Sequence, residues 1–336
     1  MRVQHEEASS PGTTSREKIP VVTARNDVVP FWGRVSGWRS YQWFVEFLFG
    51  SERRHFLILA GFPLLWVLTQ HLGPILQMLH VSVLDAYPVT VGKPTHLSLA
   101  HYRLVFEEPV YRIPYLRTLV YAFSLTLATL LIVYPVAYFL ARHVKRHNQL
   151  AFLLLLLIPF WVGEIVRTFA IMILLGNNGA VNLALKSLGF IDRPIPFMYT
   201  GFSVSFGFIY LTSLYMLLPL YSALEKIPAN FSEAAADLGA GAWTRFRKVT
   251  LPLSYEGIAS GCTLVFLIST GFYAVPVLLG GPSTTVFAET IAGFFHVAGD
   301  RWPTGAAFAC ILFMTSLVIT GAFMKFMGHL SRRGQE

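Results

Sequence analysis

Two ionisable residues, Glu164 and Arg167, lie within the otherwise apolar stretch PFWVGEIVRTFA. Charged groups inside a membrane are costly, and they usually face a cavity or pair with one another. A spacing of three residues puts both side chains on one face of a helix. They could neutralise each other as an ion pair. They could instead line a cavity or route through the protein, where the carboxylate of Glu164 would attract a cation.

Aromatic side chains form a second set of candidate contacts for a cation. The ring faces of Trp, Tyr and Phe attract an ammonium group. Aromatic residues are 15% of the chain, so most of them must fill helix interfaces and the membrane borders. The candidates within or beside apolar runs are Phe160, Trp161, Tyr210, Tyr215, Phe272 and Tyr273.

The chain lacks the spacings that mark a nucleotide site or a hydrolase. The patterns G-x4-G-K-[ST], G-x-S-x-G and H-E-x-x-H do not occur in it. Cys262 and Cys310 both lie in apolar runs, which predicts buried thiols with no disulfide and no metal site. We therefore expect neither an enzyme activity nor a cofactor in this chain.

Composition predicts an integral membrane protein. Hydrophobic residues make up 54% of the chain and charged residues only 13%, whereas a soluble domain carries about 25% charged residues. The net charge of +8 could suggest a nucleic-acid partner. The basic residues flank apolar runs and do not form one patch, so we expect the lipid bilayer as the partner and no nucleic acid.

Six apolar runs are each long enough for about 20 residues of helix through hydrocarbon. Backbone polar groups in lipid must bond within their own segment, so the predicted fold class is all-α. The connections at 142–149 and 224–255 are rich in Lys and Arg, which predicts that they and both termini are cytoplasmic. The predicted spans are 56–78, 115–141, 150–175, 199–223, 256–279 and 304–327.

The sequence divides into a tail and two membrane parts. We predict a cytoplasmic tail over 1–55, a first transmembrane helix with an outer loop over 56–95, and the main membrane domain over 96–330. Residues 31–50 of the tail mix aromatic residues with arginines. This segment either lies at the lipid headgroups or packs on the protein.

The stretch SEAAADLGAGAWTRFRKVTLPLS, residues 232–254, is too polar to enter a bilayer. Asn230 or Ser232 is expected to cap a first helix. Gly239 is expected to end that helix in a left-handed conformation. The stretch is either a rigid surface element that fits a partner's cleft or an ordinary amphipathic connection.

A second short helix is predicted over 242–250, closed by Pro252. Trp243, Phe246 and Val249 recur at helical spacing along it. The basic residues between them are expected to face solvent, namely Arg245, Arg247 and Lys248.

This stretch resembles the EAA motif of the permease subunits of ABC importers, E-A-A-x3-G-x9-I-x-L-P, with Val249 in place of isoleucine. The resemblance implies a coupling helix that docks into an ATP-binding subunit. We call residues 225–254 the coupling loop. The resemblance implies that the ATPase contact is made by Glu233, Ala234, Ala235, Asp237, Leu238, Gly239, Leu251 and Pro252.

Further segments, among them VYPVAYFLAR and VPVLLGGP, resemble the spermidine/putrescine-type branch of these permeases over residues 96–327. The resemblance implies a type I importer transmembrane domain in the bacterial inner membrane. It also implies a polyamine-like cargo and three partners: a cytoplasmic ATPase dimer that binds ATP and Mg, a second permease that is identical or homologous, and an external solute-binding protein. The alternatives are a structural scaffold and an ATP-independent transporter or channel, which predicts inverted repeats and broken helices.

Overall fold

The computed structural model describes residues 52–87, 96–296 and 301–333. The segment 31–50, expected either at the lipid headgroups or against the protein, lies outside the described residues. Beyond turns and helices, the described residues contain only the isolated bridges Leu84–Leu97 and Tyr87–Arg301.

The described part of the chain is a succession of helices joined by short turns. Two 3-10 turns, Ile158–Trp161 and Pro282–Thr284, and a π-helical turn, Phe246–Thr250, interrupt the succession. In chain order the α-helices are α1 Glu52–Ser82, α2 Ala100–Glu107, α3 Pro109–Arg142, α4 Arg146–Leu157, α5 Glu164–Leu175, α6 Ala180–Ser187, α7 Gly201–Lys226, α8 Ala229–Asp237, α9 Ala242–Arg245, α10 Leu251–Leu253, α11 Tyr255–Gly271, α12 Ala274–Leu279, α13 Phe287–His296 and α14 Trp302–Arg333.

Length and hydropathy allow six membrane spans in the described residues, which confirms the predicted all-α membrane fold. Five helical stretches qualify directly, and a sixth qualifies when Ala242–Leu253 and Tyr255–Gly271 are taken as one span bent by 64°. The five are Leu59–Ser82, Pro109–Arg142, Glu164–Ser187, Gly201–Lys226 and Trp302–Leu330.

The predicted third span, 150–175, is broken into two helices. Helix α4 ends at Leu157, a 3-10 turn follows, and α5 begins only at Glu164. Pro159 has no backbone N–H and therefore cannot continue the helical hydrogen-bond ladder. Val162 is extended, with φ −77° and ψ 130°. The fifth run breaks in the same way between α11 and α12, where Phe272 is extended at φ −64° and ψ 126°.

Residues up to Leu72 and residues from Gly73 onward form two compact units. In the first unit, the side chains of α1 between Leu59 and Leu72 are exposed on every face, apart from the half-buried Gly61. A helix with apolar residues all around suits hydrocarbon surroundings.

The second unit is built around α3, α7 and α11. Helices α7 and α11 meet backbone to backbone at two glycines. A β-carbon added at Gly257 would lie 2.5 Å from the β-carbon of Ala223, and one at Gly261 would lie 2.8 Å from Met216 Sδ. Small residues permit such close approach of helices in a membrane. Tyr134 links α3 to the start of α11 through a 2.9 Å hydrogen bond between its hydroxyl and that of Ser254.

Candidate functional site

Helix α8 opens the coupling loop, and its two ends are fixed by backbone conformation. It begins at Ala229 after Pro228, which is extended at φ −62° and ψ 140°. The prediction that Asn230 or Ser232 caps this helix is therefore wrong, because the helix begins before both residues and they lie inside it. At the other end Gly239 has φ +82°, which confirms its predicted left-handed conformation.

The end of α8 is a Schellman motif. Gly239 N donates to Ala236 O at 2.8 Å, and Ala240 N donates to Ala235 O at 2.9 Å. These two bonds satisfy carbonyls that the helix end would leave free. The preceding side chain, that of Leu238, is consequently held out in solvent with 89% of its surface exposed.

Helix α8 packs only lightly on the following helix and π-helical turn, and most of its motif residues face outward. No residue of α8 is buried. Glu233, Ala234 and Asp237 are exposed, and Ala235 is half-buried. A helix of small residues with a projecting leucine offers a close-fitting surface to a partner and has no evident role in the packing of this chain.

The second half of the coupling loop is one helical run with a defect. Helix α9 passes into the π-helical turn Phe246–Thr250, where Leu251 N bonds to Phe246 O. Pro252 follows within α10. Because proline supplies no N–H, the backbone hydrogen-bond pattern changes here from the α-helical to the π-helical spacing. The run therefore continues to Leu253 and bends by 64° into α11, and the prediction that it ends at 250 is wrong.

Two side chains of this run differ from the predicted pattern. Trp243 is 71% exposed, although its spacing resembles that of a buried residue. Arg245, expected in solvent, is half-buried, with its Nε buried and lacking a hydrogen-bond partner in the described residues. Trp243 stacks on Phe246 at 5.4 Å between ring centroids, so its remaining face is available to a partner.

Phe246 connects the coupling loop to the membrane helices. Its ring meets Tyr134 edge-on at 5.8 Å and Tyr138 at 5.9 Å, both on α3. Edge-to-face contacts of this kind add stability beyond burial alone. A displacement of α8 and α9 would therefore be transmitted to α3 through this aromatic cluster. It would be transmitted to α11 through the continuous backbone.

Sequence reasoning does not identify Tyr134 and Tyr138 as part of this connection. The signal is present in VYPVAYFLAR, where two tyrosines four residues apart share a helix face near the end of a span. Nothing in the spacing indicates that Phe246, more than a hundred residues later, lies against them.

A second group of predicted residues surrounds the break in the third span. Trp161 ends the 3-10 turn and is 91% exposed. Glu164 is the first residue of α5 and is exposed. There its charge suits the positive end of the helix dipole. An exposed indole and a carboxylate three residues apart could together hold an ammonium group.

Arg167 lines a cavity beside Phe160. Its guanidinium carbon lies 4.5 Å from the centroid of the Phe160 ring. Its Nε is buried, with no hydrogen-bond partner among the described residues. The cavity, about 290 Å³, is also lined by Tyr210 and Ser213. The contact seen for Arg167 is therefore with an aromatic face, and not with the carboxylate of Glu164.

The remaining aromatic candidates are divided among different surroundings. Tyr215 meets Phe160 edge-on at 5.0 Å, close to Arg167. Tyr273 is 42% exposed and lines a separate cavity of about 500 Å³. Phe272 is only 7% exposed and packs on Phe208 at 4.7 Å. The structure thus gathers Arg167, Tyr210 and Tyr215 and leaves Phe272 in the core.

Comparison with known proteins gives the family. The model for "Binding-protein-dependent transport system inner membrane component" matches residues 53–333. The chain is 35% identical over 250 residues to the spermidine/putrescine transport system permease protein PotB of Haemophilus influenzae, covering 72% of this chain and 83% of that protein. It is 30% identical over 285 residues to the inner membrane ABC transporter permease protein YdcU of Escherichia coli, covering 81% and 89%.

The fold agrees with that of a solved ABC importer. A bacterial alginate ABC transporter, crystallised with an alginate pentasaccharide-bound periplasmic protein, contains a chain that matches with a TM-score of 0.65 at 18% identity. The match covers 86% of this chain and 98% of that one. Together with the family match over most of the sequence, this shows that the protein belongs to the binding-protein-dependent transport system inner membrane components, the permease subunits of ABC importers.

Proposed function

We propose that this permease forms half of the path by which an ATP-driven importer moves a polyamine, or a similar small organic cation, across the bacterial inner membrane. The relative at 35% identity is named for spermidine and putrescine. The exposed Trp161 and Glu164 supply the aromatic face and the carboxylate that an ammonium group prefers. Further contacts along the path are assigned to Arg167, Tyr210, Tyr215 and Tyr273.

The coupling loop is the proposed contact with a cytoplasmic ATPase dimer. The observation that carries this assignment is Leu238, which a rigid Schellman motif holds 89% exposed beside the EAA residues. ATP and Mg would be bound by the ATPase chains, because this chain has no phosphate-binding loop. Closure of that dimer on ATP would bias the permease between inward-open and outward-open states.

The proposal also includes two further partners and an orientation of the chain in the membrane. A second permease, identical or homologous, completes the path, and an external solute-binding protein delivers the cargo. The coupling loop and both termini face the cytoplasm. Lys145 and Arg146 join α3 to α4, and Gln149 of α4 accepts a 3.1 Å hydrogen bond from Tyr221 near the end of α7. These basic residues therefore belong to the end of the bundle from which the coupling loop starts, which supports a cytoplasmic placement.

An ATP-independent transporter is the second candidate, and one observation favours it. The third span is broken at Ile158–Trp161, and broken helices at membrane depth are typical of secondary transporters. The family match argues for the ATP-driven importer. Direct measurement of energy dependence separates the two.

The experiment is uptake of radiolabelled spermidine into proteoliposomes that contain this permease with its partner permease, ATPase and solute-binding protein. We expect uptake only with ATP inside the vesicles and binding protein outside. Glu164→Gln should raise the apparent KM for spermidine by several-fold and leave ATP hydrolysis at saturating cargo unchanged. The matched control is Glu107→Gln, a change at an exposed carboxylate outside the proposed path.

Two results would contradict the proposal. Uptake that proceeds equally without ATP identifies a channel or secondary transporter. An unchanged KM in Glu164→Gln removes this residue from the path.

A further inference from the structure

Helix α6 and the turn after it carry the same kind of ending as α8. Gly189 has φ +75°. Gly189 N donates to Lys186 O at 3.1 Å, and Phe190 N donates to Leu185 O at 3.0 Å. A second Schellman motif thus follows a helix of eight residues, and again the residue before the glycine is a leucine. We call residues 180–190 the outer element.

The outer element exposes a group of large apolar side chains. Leu183 is 59% exposed, Leu188 69% and Phe190 74%. Lys186, Asp192 and Arg193 are exposed beside them. Apolar residues surrounded by charges of both signs are typical of an interface between proteins that associate and separate, whereas permanent interfaces are more uniformly apolar.

This exposed group is held rigidly. Asn182 is 2% exposed. Its Nδ2 donates to Gly176 O at 3.1 Å and to Ile195 O at 3.0 Å, and its Oδ1 accepts from Ile195 N at 2.9 Å. The turn 176–179, the helix and the chain segment at 195 are therefore tied together by one side chain. A rigid surface loses little conformational entropy when it binds a partner.

The outer element lies outside the hydrocarbon. By length and composition alone, α5 and α6 could count as one span. However, α4 and α5 have twelve residues each, about 36 Å of helix at 1.5 Å per residue, which already exceeds a hydrocarbon core of about 30 Å. The exposed leucines of α4 require hydrocarbon surroundings, so α4 and α5 together span the hydrocarbon core. Helix α6 then lies beyond the core, on the side opposite the coupling loop.

We propose that the outer element is a docking site for the external solute-binding protein, with Leu188 and Phe190 as its central contacts. This rests on the proposed function, which supplies that partner. The side of the membrane excludes the ATPase. The charged residues around the apolar group favour a transiently bound partner, and a second permease would be bound permanently.

The test uses the complete importer in nanodiscs and measures ATP hydrolysis as the concentration of cargo-loaded binding protein is raised. Leu188→Glu and Phe190→Asp should each raise the half-saturating concentration by at least about tenfold, as expected for central interface residues. The basal rate without binding protein should not change. Leu97→Glu is the matched control, since Leu97 is 79% exposed in another outer segment.

A label on the same site identifies what covers it. Cys262 and Cys310 are buried, so Leu188→Cys can be labelled selectively with an environment-sensitive fluorophore. We expect its emission to shift when cargo-loaded binding protein is added. Emission that responds only to lipid composition, or only to assembly with the second permease, overturns the proposal.

The failure of this inference is distinguishable from failure of the proposed function. If the wild-type importer is stimulated by binding protein and Leu188→Glu responds like Leu97→Glu, the docking assignment alone is wrong. If the wild-type importer shows no stimulation, the proposed function itself is wrong, and the docking assignment is wrong with it.

Discussion

Helices α8 and α6 end alike but are held differently. Both stop at a leucine followed by a glycine at positive φ, +82° at Gly239 and +75° at Gly189. The buried amide of Asn182 ties α6 to its surroundings, whereas α8 has no buried residue at all. The coupling loop is joined to the membrane helices at both ends, through Ile227 before α8 and through Phe246 after it. A fixed element suits the capture of a partner, whereas an exposed helix joined to two membrane helices suits the transmission of movement.

The largest expected effect comes from Gly239→Val. A β-branched residue at positive φ costs roughly 1–3 kcal/mol, so the end of α8 should rearrange and Leu238 should lose its position. We expect ATP-driven uptake to fall by more than about tenfold, the change that 1.4 kcal/mol produces. Purification of the complex with its ATPase should also fail or weaken.

Gly189→Val provides the matched comparison, because it strains the same motif on the other side. It should weaken the response to binding protein and leave ATPase association intact. Gly239→Asn is the control for side-chain size, since asparagine tolerates the left-handed region better than other residues. If Gly239→Val and Gly189→Val give the same pattern of losses, the distinction between the two elements is wrong.

The second effect is expected from Phe246→Ala. This change removes the ring that touches Tyr134 and Tyr138 and leaves the exposed face of α8 unaltered. Full burial of phenylalanine makes its truncation cost about 3–5 kcal/mol, so this half-buried ring should cost less. The ATPase should still bind and hydrolyse ATP, while uptake per ATP falls several-fold.

Simultaneous measurement of hydrolysis and uptake in proteoliposomes decides this prediction. Phe246→Leu, which keeps apolar volume but not the edge-to-face geometry, is the control and should give an intermediate ratio. A parallel loss of ATPase binding and of uptake would place Phe246 in the docking surface instead.

The smallest effect on transport is expected from Asn182→Ala. Loss of its hydrogen bonds leaves buried backbone groups unpaired, which costs about 1–3 kcal/mol. The melting temperature should therefore fall by a few degrees, and the half-saturating concentration of binding protein should rise modestly. Uptake at saturating binding protein should hardly change. A large loss of uptake under that condition would show that the outer element transmits movement as well.

Hydropathy predicts the first, second, fourth and sixth spans to within about six residues at each end, because bilayer thickness constrains helix length. The left-handed Gly239 is also predictable, since a glycine after a run of alanines has one common role at a helix end. The break at 158–163 is harder to foresee. The residues before it, 150–158, are uniformly apolar, and Pro159 can either kink a membrane helix or end it.

The sequence predicts the candidate site only where the contacts join residues that are close together in the chain. The spacing of Glu164 and Arg167 would allow an ion pair on a continuous helix. Their different surroundings depend on the turn before α5 and on the position of Phe160, which the spacing does not contain. The contact of Phe246 with Tyr134 joins residues far apart in sequence, so no local pattern reveals it.

The glycine contacts between α7 and α11 also limit how this chain can change over evolutionary time. Where two backbones touch at Gly257 and Gly261, no larger side chain can be introduced without separating the helices. A related permease that transports a different solute must therefore gain its new contacts on the opposite faces of α7 and α11. The contact between the two helices at Gly257 and Gly261 stays unchanged.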